Sequence, residues 1–213
     1  MVKKHFEFDN SIKSYILILA LGFFTGVITR LSDFFQYDTL WSFSSIATLF
    51  GFWITTVTLV VYFSSSNTNA GINAFLYLFM MSLSFYVLKY LLGLFLPRFE
   101  NEGFQYTLFL LYSLASAACG LAGYVLYFWN KGKKAGSMLY ALPVGALAAE
   151  TAGTAVYLIN NGTFLFQLVF DFLSLAAIGI WFYGKASHKA VYVASAVLVA
   201  SAVFVLVYMP FIR

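Results

Sequence analysis

Apolar runs of about twenty residues, each closed by a short cluster of glycine, asparagine, serine or lysine, limit what this chain can fold into along nearly its whole length. As a helix, such a run covers the roughly 30 Å hydrocarbon core of a bilayer. In lipid the helix also satisfies every backbone N–H and C=O within one segment. Composition agrees, with 62% hydrophobic and 9% charged residues in 213, against roughly 25% charge in an ordinary soluble domain. The chain therefore reads as an all-α polytopic membrane helix bundle, a single integral membrane domain over 1–213 whose first partner is the lipid bilayer. About six to eight spans use up that length and exclude a separate soluble catalytic domain.

The punctuation "SSSNTNAG", "LPRFENEG", "NKGKKAG", "NNG" and "GKASHK" places seven spans near 14–31, 39–63, 73–96, 104–129, 137–159, 163–183 and 190–212. Arg30 ends the first span early and is expected to snorkel to the surface. Lys3, Lys4 and Lys13 ahead of that run resemble a signal sequence, but no A-x-A site follows, so an uncleaved first helix is expected. With the N-terminus inside, the inner segments hold Lys3, Lys4, Lys13, Lys131, Lys133, Lys134, Lys185 and Lys189, and the outer ones Arg30, Arg98 and Arg213. That asymmetry predicts an N-in, C-out topology, with Asp33, Asp38, Glu100 and Glu102 in outer loops. The net charge of +4 follows from the same bias and calls for no nucleic acid. Cys119 is the single cysteine and forms no internal disulfide. The last span has no lysine for a retinal Schiff base. No internal repeat stands out, although seven helices fit a small parallel-repeat transporter.

Polar stripes mark the faces turned away from lipid. Gln167, Asp171 and Ser174 stand at i, i+4 and i+7 in the sixth span, and Ser82, Tyr86, Lys89 and Gly93 form a similar stripe in the third. Thr48, Gly51, Thr55 and Thr58 in the second span, and Ser113, Ser116, Gly120 and Gly123 in the fourth, read as packing seams, since Ser and Thr bond their own helix's carbonyls. The fifth span lacks phenylalanine and sets Gly145, Ala149 and Gly153 at the small-xxx-small interval, which predicts a central helix with close neighbours. Gly22 and Gly26 make a second close-approach surface in the first span. Pro143 adds a freed carbonyl to the fifth.

Glu150 shares a column with Ala146, Thr154 and Tyr157, turned about 100° from the small-residue seam. At a rise of about 1.5 Å per residue, Lys89, Glu150 and Asp171 fall roughly 10, 14 and 12 Å below the outer helix ends, in one layer. Lys89 neutralises only one of the two acids. The other charge then needs a proton, a second cation such as Arg30, or a bound cationic ligand or ion. Two readings follow: a structural clasp that specifies which helices meet, or a polar cavity open to the outer face. The aromatic, acidic loop "RLSDFFQYDTLW" is either an interfacial belt or a lid over that cavity. "NKGKKAG" reads as an inner anchor, and "NGT" at Asn161 sits too near the membrane for glycosylation.

Catalytic signatures such as H-E-x-x-H and G-x-S-x-G are missing, and no metal-ligand cluster is evident. His5 and His188 fall on the inner side. No catalytic residue, metal or cofactor is expected.

"LWSFSSIATLFGFWITTVTLVVYFS", with "RLSDFF" before it and "AGINAFLYLFMMSLSFYVLKYLLG" after, resembles small multi-pass membrane proteins of Gram-positive bacteria whose function is uncharacterised. That resemblance covers about the first half of the chain and implies a bacterial cytoplasmic-membrane protein. The chain's size and the Gly22/Gly26 pair are also similar to the substrate-binding membrane subunits of energy-coupling-factor transporters, whose first helix docks a partner through small residues. The expected function is a small-molecule or ion transporter, or its membrane binding subunit, with Lys89, Glu150, Asp171, Tyr86, Gln167 and Thr154 around the site and Arg30 at its mouth. A scaffold or accessory subunit binding a membrane partner or a second copy of itself is the alternative, and a lipid-modifying enzyme a third.

Overall fold

The computed structural model describes residues 7–47, 50–96, 103–130 and 132–212, where every regular element is helical apart from one isolated bridge between Phe8 and Ser64. The helices are α1 Ile12–Ser32, α2 Phe50–Phe63, α3 Asn67–Phe95, α4 Tyr106–Leu126, α5 Lys134–Asn161, α6 Leu165–Lys185 and α7 Lys189–Val203. All but α2 belong to a set of 6 segments long and apolar enough to cross a membrane, which makes the chain a multi-pass membrane protein. Lys3, Lys4, His5, Thr48, Arg98, Glu100, Glu102, Lys131 and Arg213 lie outside the described residues.

The second span departs most from its expected range of 39–63. A 3-10 turn occupies Phe43–Ala47, and α2 begins only at Phe50. Polar turns and tertiary bonds use the stretch that a continuous helix would need. Ser42 has φ 40 and donates its hydroxyl to the Tyr37 carbonyl at 2.6 Å. The carbonyls of Leu40 and Trp41 accept the Leu165 and Phe166 amides at 2.9 and 3.2 Å. With 14 residues, α2 rises about 21 Å, short of a bilayer core of roughly 30 Å.

The third helix starts at Asn67 and not near 73. Ser66 is its N-cap and accepts the Asn69 N–H at 3.2 Å, so much of "SSSNTNAG" is cap and first turn. The last helix passes at Phe204 into a π turn ending at Tyr208, then into a helical turn over Met209–Ile212. Pro210 lies in that final turn and has no N–H to continue the regular ladder.

The chain divides into two compact units, Met1–Leu31 with Leu59–Tyr127, and Ser32–Thr58 with Phe128–Arg213. In the first, glycine lets backbones touch. Gly71 and Gly120 face each other across α3 and α4, where a Cβ on either would sit 3.0 Å from the other's carbonyl. Gly22 of α1 lies against the Tyr77 carbonyl of α3, and Gly26 against the Met81 carbonyl and Ser84 hydroxyl. The entering chain is tied down as well: Phe8 N–H donates to the Phe63 carbonyl at 2.8 Å, Ser65 N–H donates to the Phe8 carbonyl at 3.1 Å, and Asn69 Nδ2 donates to the Asp9 carbonyl at 3.2 Å.

In the second unit α5 packs on both α6 and α7. A 44% buried share of its apolar window, against 6% for α7, shows which helix is enclosed. Gly145 comes so near α7 that an added Cβ would lie 2.7 Å from the Ala196 carbonyl, and Gly153 meets the Tyr208 ring in the same way. Ala149, between those glycines, is 1% exposed. At the lysine-bearing end of this unit, Trp129 stacks on Tyr140 at 5.1 Å with Phe182 beside both.

Candidate ligand site

Glu150 and Asp171 enter the second unit from its two longest contacting helices. Glu150 precedes the end of α5 by eleven residues, about 16 Å, and Asp171 follows the start of α6 by six, about 9 Å. Both sit toward the α5–α6 turn, and both are 0% exposed. Gln167, also 0% exposed, is one turn before Asp171 on the same face of α6. Thr154 is one turn after Glu150 on α5.

These side chains bond one another directly. Gln167 Nε2 donates to Asp171 Oδ1 at 2.6 Å, and Thr154 Oγ1 donates to Asp171 Oδ2 at 3.4 Å. The amide nitrogen facing a carboxylate oxygen fixes the Gln167 orientation, since the reverse would set two acceptors against each other. The two carboxyl groups lie within electrostatic reach of each other.

The start of α2 completes the cluster. Phe50 donates its backbone N–H to Glu150 Oε1 at 3.0 Å, across 100 residues of sequence. An α-helix leaves its first amide groups without internal partners, and away from water those groups need an acceptor. Glu150 supplies one, and the positive end of the helix dipole favours its charge. At Gly51 the backbone lies directly on Asp171: a Cβ would collide with Oδ1 and come 3.0 Å from Gln167 Nε2. Aromatic contacts hold the same segment along α6, with Phe43 on Phe166 at 4.6 Å and Phe52 near Phe170 at 5.7 Å.

Three buried polar atoms here remain without a hydrogen-bond partner among the described residues: Glu150 Oε2, Gln167 Oε1 and Thr55 Oγ1. Thr55 lies one turn beyond Gly51 on the same face of α2. An unfilled buried acceptor costs about 1–3 kcal/mol, and more when charged. The sequence has no Lys, Arg or His from 135 through 184, so α5 and α6 bring no side-chain cation to these acids between their basic ends. The donors are carboxylate, amide and hydroxyl oxygens, which suit protons and hard cations. Among the described residues no group of three or more His, Cys, Asp or Glu gathers as a metal-binding set.

The remaining expected site residues belong to the first unit. Tyr86 is buried in α3 among the rings of Phe104, Phe109 and Tyr112. Arg30 is 6% exposed, its guanidinium 5.7 Å from the Phe85 ring centre. Lys89 is half-buried on the same helix as Tyr86. Phe50, Gly51 and Thr55 are the residues that sequence reasoning passed over as site members. Gly51 and Thr55 carry a signal in the stripe Thr48, Gly51, Thr55 and Thr58, which reads from sequence as a packing seam, and Phe50 carries none. Comparison of the chain with protein-family models, curated proteins and solved structures finds no match.

Proposed function

We propose that the protein is a membrane transporter for a small molecule or ion, or the substrate-binding membrane subunit of one, in a bacterial cytoplasmic membrane. Its site is the cluster of Glu150, Asp171, Gln167 and Thr154 around the start of α2, in the outer half of the membrane. The observation that carries this reading is the set of enclosed acceptors left unfilled beside Asp171. A clasp whose purpose is to join helices gains nothing from unfilled acceptors, whereas a ligand site makes use of them. The interrupted second span points the same way, because broken helices at membrane depth are a common means of bringing backbone termini to a transported species.

Reconstituted into liposomes on a solid-supported membrane, the wild type should give transient currents after a jump in pH or salt. Glu150→Gln and Asp171→Asn should abolish them. Wild-type protein that is folded and electrically silent under every gradient would sink the reading.

A further inference from the structure

Deepening that reading of the cluster as a transport site, we infer that Glu150 Oε2, Gln167 Oε1, Thr55 Oγ1 and Asp171 Oδ2 form a site for a small univalent metal cation of the sodium or lithium kind.

The donor set comes first. Every available atom is oxygen, from carboxylate, amide and hydroxyl groups, which selects hard cations over metals that prefer nitrogen or sulfur. Three of the four atoms are buried and unfilled. The fourth, Asp171 Oδ2, accepts one hydrogen bond at 3.4 Å and keeps lone-pair capacity. Its neighbour Oδ1 is taken by Gln167 Nε2 and Glu150 Oε1 by Phe50 N–H, so each carboxylate has one oxygen committed and one available.

Size and coordination number narrow the class further. Glu150, Asp171 and Gln167 are all 0% exposed, with the Gly51 backbone pressed on Asp171. An organic cation needs more space than a packed cluster with no Cβ at its edge provides. A calcium ion takes about 6–8 oxygens and magnesium demands an octahedron with several retained waters, whereas four oxygens are on offer.

The test uses the full-length purified protein at alkaline pH and constant ionic strength, with N-methyl-D-glucamine chloride replaced stepwise by sodium, lithium or potassium chloride. Sodium or lithium should raise Tm, by roughly 5–10 °C at about a hundredfold excess over Kd and with the logarithm of concentration beyond Kd. Glu150→Gln keeps an acceptor for Phe50 but turns an NH₂ group toward the ion, and should erase the shift. If that variant does not fold, Gln167→Met removes one ligand oxygen and should weaken the response at least tenfold in apparent Kd. A Tm that follows pH but ignores all three metals overturns the inference and leaves transport standing, with the proton as cargo. A response to magnesium or calcium chloride alone overturns it as well. Saturable sodium binding without currents in the liposome experiment would uphold the cation site while sinking the transport reading.

Discussion

Glu150 Oε1 accepts the backbone N–H of Phe50 at 3.0 Å, so the carboxylate of one helix caps the first turn of another. The two oxygens of that carboxylate differ: Oε1 serves α2, and Oε2 has no hydrogen-bond partner among the described residues. Glu150→Leu removes both and leaves the Phe50 amide without its acceptor, which within a bilayer should cost about 1–3 kcal/mol. Glu150→Gln keeps the first role and should cost less. Thermal unfolding of both variants in detergent checks the order; equal losses would mean that the cap contributes nothing beyond the charge.

Gly51 makes the same argument from the backbone side. Replacing it with alanine places a methyl group where Asp171 Oδ1 now lies, and the carboxylate has to turn away from Gln167. Gly51→Ala should destabilise the fold by about 1–3 kcal/mol. Combined with Asp171→Ala, which frees the space, its cost should shrink, giving a coupling of about 1 kcal/mol in a double-mutant cycle. Additive losses would show that the two residues are not in contact.

The helical membrane architecture was legible because apolar runs and their punctuation depend on local sequence alone. The Gln167/Asp171/Ser174 face was legible for the same reason, as a period of 3.6 along one helix. The break in the second span was not. It depends on Leu40 and Trp41 giving their carbonyls to amides of α6 more than a hundred residues away, and no window on 39–63 contains that information. Charge counting around Glu150 also looked for cations among side chains and left out the backbone amides that α2 brings to it. The start of α3 could have been read: serine is a favoured N-cap residue, and Ser66 takes that place in wording whose asparagines disguised it as loop.

Glycines that look alike in the sequence should separate sharply when replaced. Gly26 of α1 is pressed on the Met81 carbonyl and the Ser84 hydroxyl, while Gly184 near the end of α6 has nothing within 4 Å of an added Cβ. Gly26→Ala should lose about 1–3 kcal/mol through overpacking against backbone. Gly184→Ala should be neutral or gain about 0.5 kcal/mol, because alanine restricts the unfolded chain more. The two Tm values measured side by side decide it, and equal effects would contradict the placement of α1 on α3.

Asp9 provides a pH effect outside the membrane-spanning segments. Its Oδ1 accepts from the Ser11 hydroxyl at 2.5 Å, the Ser14 hydroxyl at 2.5 Å and the Ser11 N–H at 3.1 Å, fastening the chain just ahead of α1. The Ser11 hydroxyl bond, followed by that from Ser14, holds the carboxyl down at about 2. A carboxylate depressed in the folded state contributes stability above its unfolded pKa of roughly 4 and loses it as pH falls through the folded value. The entry to α1 should therefore fray between about pH 4 and pH 2 and be firm above that window. In Asp9→Asn the same segment should be looser at neutral pH and lose this acid dependence. Amide exchange at Ser11–Ser14 reads this locally. Exchange that stays flat in the wild type from pH 5 to pH 2, once corrected for its intrinsic pH dependence, would show that the serine bonds do not hold the segment.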